Sequence, residues 1–143
     1  MSTAISGLSE LLRAMEPELH DGVYVFASVP PGSTLSGLGL EPLASFREKE
    51  GLSVIVSERE ALEAALPVLF RAAWISLTVH SDLAAVGLTA AVAAALAEGG
   101  ISCNVVAGAF HDHLFVPVDR AQEALDRLRR LQREAAVSPL RAP

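Results

Sequence analysis

The order of strands and helices repeats within the chain, and this repeat restricts the possible folds more than any other feature. Two stretches, VIVSEREALEAAL (54–66) and FVPVDRAQEALDRL (115–128), both run from a β-branched strand through a capping residue into an apolar helical stripe. The second half of the chain reads strand, helix, strand, strand, helix. The first half has the same order, except that PPGSTLSGLGLEP (30–42), with three prolines and three glycines, stands where its first helix should be.

This order predicts an α+β protein made of two ferredoxin-like βαββαβ-type halves. Each half is expected to form an antiparallel sheet with helices on one face, and in the first half a loop replaces the first helix. The predicted divisions are an N-terminal helix at 1–16, a degenerate first half at 17–70, a second half at 71–136 and a frayed tail at 137–143. The sequence leaves open whether the loop at 30–42 is a flexible lid over a ligand.

Charge, cysteine content and hydropathy exclude several classes of protein. The formal net charge is −6 and no basic stripe is present, so we predict no nucleic-acid partner. The single cysteine cannot form an internal disulfide, which favours a reducing compartment. The N-terminus lacks the pattern of a signal peptide, and the apolar run at 83–97 is shorter than the roughly 18 residues of a spanning helix. We therefore predict a cytoplasmic protein with no membrane partner.

No arrangement of side chains in the sequence favours catalysis. Cys103 falls on the apolar side of a strand, where a buried thiol is inert. His111 and His113 flank Asp112, and a polar tight turn between two strands explains this triplet better than a metal site. The loop at 30–42 lacks the lysine of a phosphate-binding loop. We predict that the protein is not an enzyme and uses no cofactor and no metal.

Four segments resemble a family of small bacterial proteins built from tandem ACT domains. They are PELHDGVYVF (17–26), ASFREKEGLSVIV (44–56), LTVHSDLAAVGLTAAVAAALAEGGISCNVVA (77–107) and HDHLFVPVDRAQEAL (111–125). The resemblance covers roughly residues 16–131. It implies the ferredoxin-like fold and the role of ACT domains in general, which sense small molecules, often amino acids, in the regulatory parts of aspartokinases and other amino-acid enzymes.

The resemblance places a ligand site at HSDLAAVG (80–87), with backbone contributed by the neighbouring strand. The candidate ligand-binding residues are His80, Ser81, Asp82, Leu83, Val86, Gly87, Asn104 and Val105. Ser81 or Asp82 can cap a helix predicted over 84–98, whose first-turn amides would favour a carboxylate. Asp82 could pair with an ammonium group, and Gly87 would allow close approach of the ligand. Alternatively, Ser81 and Asp82 are plain caps and Gly87 is a packing glycine, with no ligand.

The helix predicted over 84–98 has almost no polar face. Leu88, Val92 and Leu96 are expected to face its own sheet, while alanines such as Ala93 cover most of the remaining circumference. We infer that a helix of the first half or a partner subunit covers this second face, and we predict a homodimer. The predicted function is a regulatory sensor of a small molecule, in particular an amino acid. The alternative is a ligand-free structural or interaction module that joins a partner through sheet edges and helices.

Overall fold

The computed structural model describes residues 4–5 and 7–137. The chain divides into two compact units: a first unit, Asp21–Ala73, and a second unit that combines the described residues of Met1–His20 with those of Trp74–Pro143. Residues 138–143 of the predicted frayed tail lie outside the described residues. Within residues 4–5 and 7–137, no helix combines the length and the apolar character needed to cross a membrane.

The elements confirm the predicted α+β class with antiparallel pairing. The helices are α1 (Leu8–Ala14), α2 (Glu58–Glu63), α3 (Leu88–Glu98) and α4 (Ala121–Val137), with one turn of 3₁₀ helix at Val118–Arg120. The strands are β1 (Pro17–Leu19), β2 (Tyr24–Val29), β3 (Ala44–Glu48), β4 (Gly51–Ser57), β5 (Phe70–Leu77), β6 (Asn104–Ala107) and β7 (Asp112–Pro117).

In the first unit the strands lie in the order β5-β2-β4-β3. Strand β2 pairs antiparallel with β4 on one side and with residues 70–72 of β5 on the other, while β3 and β4 form the predicted hairpin. The buried core of this unit is Val25, Ala27, Val29, Leu40, Val54, Val56 and Ala61. Strand β2 is therefore the central strand that its apolar sequence predicts.

The loop between β2 and β3 forms turns without a helix, as the prolines and glycines at 30–42 predict. Leu35 and Leu38 pack against the core of the first unit, in which Leu40 is 5% exposed. The amide of Glu41 donates a hydrogen bond to Glu60 Oε1 of α2 at 2.7 Å. The leucines thus cover the sheet where a helix would otherwise bury its apolar stripe.

In the second unit the N-terminal segment supplies a strand that the second half lacks. The order is β1-β5-β7-β6, and β1 pairs antiparallel with the end of β5, with Pro17 opposite Leu77 and Leu19 opposite Ile75. The second half reads β-α-β-β-α, so β1 provides the last strand of a βαββαβ order. Residues 17–20 accordingly lie in the second unit, which differs from the predicted boundary at residue 17, because the edge of β5 requires a hydrogen-bonding partner.

Helices α1, α3 and α4 belong to the second unit. The predicted inward residues of α3 are buried: Leu88 is 3% exposed, Val92 1% and Leu96 0%. Leu11, Leu12 and Met15 of the N-terminal segment join this core, together with Ile75, Leu77, Leu114, Val116 and Leu128. Helix α1 contacts both α3 and α4, so the N-terminal segment completes the helical layer as well as the sheet of this unit.

Candidate functional site

The turn predicted to bind a ligand, residues 80–87, is held in place by the N-terminal segment. The amide of Ile5 donates to the carbonyl oxygen of His80 at 2.8 Å, and the amide of Asp82 donates to the carbonyl oxygen of Ile5 at 2.9 Å. A Cβ added to Gly87 would lie 3.2 Å from Leu8 Cδ2, so α1 packs closely against the end of this turn. The position of the turn therefore depends on residues some 80 positions away in the sequence.

Helix α3 begins at Leu88, four residues later than predicted, and neither Ser81 nor Asp82 caps it. Gly87 is the N-cap residue, with φ 104° and ψ −21°, and it has no side chain to cap the helix. Asp82 Oδ1 instead accepts a hydrogen bond from the amide of Ala84 at 2.8 Å, which closes a local turn before the helix starts. The predicted capping role of Ser81 and Asp82 was wrong, because the local turn takes the place of the first four predicted helical residues and the helix starts at Leu88.

The amides in the first turn of α3 have no side-chain acceptor. The first intrahelical hydrogen bond runs from the amide of Ala91 to the carbonyl of Gly87 at 2.9 Å. Within the described parts of the chain, no side chain accepts a bond from the amides of residues 88–90. Helix α2 differs, since Ser57 and Glu60 form a complete capping box. The start of α3 therefore keeps donors that a ligand can use.

A cavity of about 130 Å³ lies beside these amides. It is lined by Ser81, Asp82, Leu83, Ala85, Gly87, Leu88, Thr89, Ala107 and Asp112. Four of the eight predicted ligand-binding residues are in this lining: Ser81, Asp82, Leu83 and Gly87. The sequence did not identify Ala85, Leu88, Thr89, Ala107 or Asp112 as part of the site.

The other four predicted residues, His80, Val86, Asn104 and Val105, lie outside the lining of the cavity. The ring centroid of His80 is 5.5 Å from that of Phe110. Val86 is 84% exposed. Asn104 is exposed at the start of β6, and Val105 lies two residues before the lining residue Ala107, on the same face of the strand.

Asp112 is the most buried charged group in the lining. It is 9% exposed, and Ser81 Oγ donates a hydrogen bond to its Oδ2 at 3.0 Å. Sequence reasoning placed 111–113 in a tight turn, but the turn is formed by 108–111, where the amide of Gly108 donates to the carbonyl of His111 at 2.9 Å. Asp112 is the first residue of β7 and shares a face with the core residue Leu114. That period-two pattern was the signal that could have found it.

His113 faces the opposite side of β7 and forms a polar cluster with Trp74, Ser76 and His20. Trp74 Nε1 donates to His113 Nδ1 at 3.1 Å, and Ser76 Oγ lies 3.0 Å from the same nitrogen and 2.8 Å from His20 Nε2. Burial, helped by the neighbouring His111 and His20, holds the pKa of His113 below its usual value. The ring is then neutral at pH 7, as the Trp74 donor requires. No group of three or more potential metal ligands occurs among the residues that the structure describes.

Cys103 lies just before β6 and is half-buried. Burial raises the pKa of its thiol to about 11. Because the thiolate is the reactive form, this cysteine is a poor nucleophile at neutral pH.

A larger recess of about 450 Å³ borders the alanine face of α3. It is lined by Leu8 and Leu12 of α1, by Ala91, Ala94, Ala95 and Glu98 of α3, and by Arg127, Arg130, Leu131 and Glu134 of α4. Helix α1 therefore lies along part of the second face of α3, while Ala90, Ala94 and Ala97 stay exposed.

Comparison with known families shows two matches along the chain. Residues 3–73 match a family model described as ACT domain, and residues 70–130 match a second model with the same description. No curated protein matches the chain.

Solved structures resemble the chain over most of its length. A protein of unknown function from Vibrio cholerae, described as a possible transport protein, is 49% identical, with 87% of this chain and 95% of that one covered and a TM-score of 0.78. The ligand-free regulatory subunit of aspartate kinase from Thermus thermophilus is 15% identical, with 82% and 97% covered and a TM-score of 0.63. A protein from Agrobacterium tumefaciens is 18% identical, with 81% and 87% covered and a TM-score of 0.64. The last two show a shared fold alone.

Proposed function

Because the chain belongs to the ACT-domain family, with two ACT domains in tandem, we propose that it is a non-catalytic regulatory protein whose second unit binds an amino acid. The observation that carries this proposal is the cavity of about 130 Å³ beside the uncapped start of α3. The single cysteine, which cannot form an internal disulfide, and the formal net charge of −6 suit a cytoplasmic protein with a small-molecule ligand.

The charges around the cavity match those of an amino acid. The free amides of Leu88 and Thr89, which line the cavity, and the positive end of the helix dipole favour a carboxylate. Asp82 and Asp112 line the same cavity and offer negative charge to an ammonium group. Gly87 supplies the positive φ of 104° that precedes the helix, and a Cβ added there would meet Leu8 of α1.

The alternative is a structural or interaction module with no ligand. In such a module the glycine N-cap of α3 would lose only a few tenths of a kcal/mol of stability relative to a capping side chain. Helix α2 has a complete capping box, whereas α1, like α3, has a glycine N-cap without a side-chain hydrogen bond. Because α1 lacks a side-chain cap as well, it is the cavity beside the start of α3 that favours the sensor over the module.

Replacing Thr89 with aspartate is expected to abolish amino-acid binding while leaving the fold intact. The new carboxylate lies at the second position of α3, where it stabilises the helix by about 0.3–1 kcal/mol and repels a bound carboxylate. Thermal unfolding with each of the twenty amino acids measures the effect. At a concentration 100 times the dissociation constant, the ligand should add about 2.7 kcal/mol to the wild-type protein and almost nothing to Thr89→Asp.

The matched control is Ala90→Asp. Ala90 is exposed in the same helical turn but does not line the cavity, so the substitution brings the same charge to the same dipole outside the site. This variant should respond to the ligand as the wild type does. Equal stabilisation of Thr89→Asp and Ala90→Asp by the ligand would place binding elsewhere.

We further propose that the protein is a homodimer and that ligand binding changes its affinity for a regulated partner. The alanine face of α3 supports the dimer, because small side chains allow close helix contact and the rim carries charges of both signs, with Glu98 and Arg130.

The substitution Ala94→Glu should convert the dimer to a folded monomer, since Ala94 is exposed within the subunit. Sedimentation equilibrium measures the mass. An unchanged dimer mass would rule out this face.

A further inference from the structure

The Asp112 side chain combines burial with incomplete hydrogen bonding. It is 9% exposed, and the one hydrogen bond to it from residues 4–5 and 7–137 comes from Ser81 Oγ at 3.0 Å. An ionised carboxylate offers about four acceptor positions, so most of its capacity is unused. No lysine or arginine is among the described residues that line the cavity.

Asp82, the other acidic residue of the lining, differs from Asp112 in both respects. Asp82 is exposed to solvent, and its Oδ1 already accepts the amide of Ala84 at 2.8 Å. Water can satisfy an exposed carboxylate, whereas Asp112, which is 9% exposed, has little contact with water and gains more from a cationic or donor group beside it. The cavity is the open side of Asp112, so a ligand can bring that group.

We propose that Asp112 binds the ammonium group of the ligand and that the site selects α-amino acids with short side chains. The inference rests on the proposed function and assigns to Asp112 the pairing that the sequence suggested for Asp82. The free amides of α3 bind the carboxylate, and Asp112 binds the ammonium. The space left is small, because about 130 Å³ is well below the 300–1,000 Å³ of sites for larger ligands. Its apolar side chains are those of Leu83, Ala85, Leu88 and Ala107.

Matched pairs of ligands test the ammonium pairing on the wild-type protein. The pairs are glycine with glycolate, L-alanine with L-lactate, and L-serine with L-glycerate, in which a hydroxyl group replaces the ammonium. Calorimetric titration should show about 10- to 100-fold tighter binding of each amino acid, because the hydroxyl group gives Asp112 no charge-assisted bond. Equal affinity within the pairs, or binding of long side chains alone, would overturn the assignment.

Two isosteric variants separate the carboxylates. In Asp112→Asn the preference for L-alanine over L-lactate should fall to within about threefold, because the amide keeps the shape and loses the charge. In Asp82→Asn the wild-type preference should persist. A full preference in Asp112→Asn, or its loss in Asp82→Asn instead, contradicts the assignment. If Asp112→Asn does not fold, Asp82→Asn decides the question: a persistent preference leaves Asp112 as the carboxylate of the lining that pairs with the ammonium, and a lost preference overturns the assignment.

Ser81→Ala distinguishes the ligand role from a purely structural clamp between the turn and β7. If Asp112 binds the ammonium group, Ser81→Ala should keep the preference for L-alanine over L-lactate, since the charge of Asp112 remains. If Asp112 serves only to hold the turn to β7 through Ser81, the variants Ser81→Ala and Asp112→Asn should show the same loss of melting temperature and the same ligand preference. That result would overturn the proposal. Failure of every amino acid to stabilise the wild type would instead refute the proposed function, so the two failures are distinct.

Discussion

Replacing Leu96 with alanine is expected to lower the free energy of unfolding by about 3–4 kcal/mol, a large fraction of the stability of a small protein. Leu96 is 0% exposed in α3, on the side of the helix that faces the core of the second unit. The substitution removes buried methyl groups and leaves a cavity that rigid neighbours fill only in part. Equilibrium unfolding in urea, followed by circular dichroism, measures the loss.

The matched control is Leu62→Ala in α2. Leu62 is also helical, but it is 70% exposed, so the same truncation removes little buried surface. Its effect should stay within about 0.5 kcal/mol of zero. Similar losses in the two variants would mean that α3 does not bury Leu96 in solution.

Replacing Gly87 with alanine is expected to lower the free energy of unfolding by about 2–3 kcal/mol. It is also expected to weaken ligand binding. The φ of 104° at this position is one that residues with a Cβ rarely adopt. The added Cβ would also lie 3.2 Å from Leu8 Cδ2, so the start of α1 would have to shift. Because Gly87 lines the cavity, both the unfolding free energy and the affinity for an amino acid should fall.

Gly7→Ala is the control, because Gly7 is also the N-cap residue of a helix. Its φ is −74°, and among the described residues, apart from Gly7 and its chain neighbours, no atom lies within 4 Å of a Cβ added there. Both variants lose the small preference for glycine over alanine at an N-cap, so the difference between them isolates the backbone strain and the contact with Leu8. Equal stabilities would show that the turn at Gly87 adapts to a side chain.

Local patterns in the sequence predicted most of the secondary structure. The β-branched run that became β2, the hairpin of β3 and β4, and the loop at 30–42 follow from side-chain period and from proline and glycine. The sequence also located the turn that carries the cavity, through its resemblance to ACT domains. The start of α3 was misplaced because alanine-rich sequence is compatible with a helix from 84 onward, and the local turn at Asp82 and Ala84 competes with it.

The sequence by itself determined the two α+β halves, the apolar face of α3 and the acidic turn before it, because these depend on residues close together in the chain. The tertiary structure decided which distant residues complete them. Strand β1 pairs with β5, Ile5 holds the turn at His80, and Asp112 enters the cavity from β7. Such pairings depend on hydrogen-bonding edges and buried surfaces that exist only once the chain is folded. Local period can place Asp112 on the core face of β7, but it does not say which distant residues Asp112 meets.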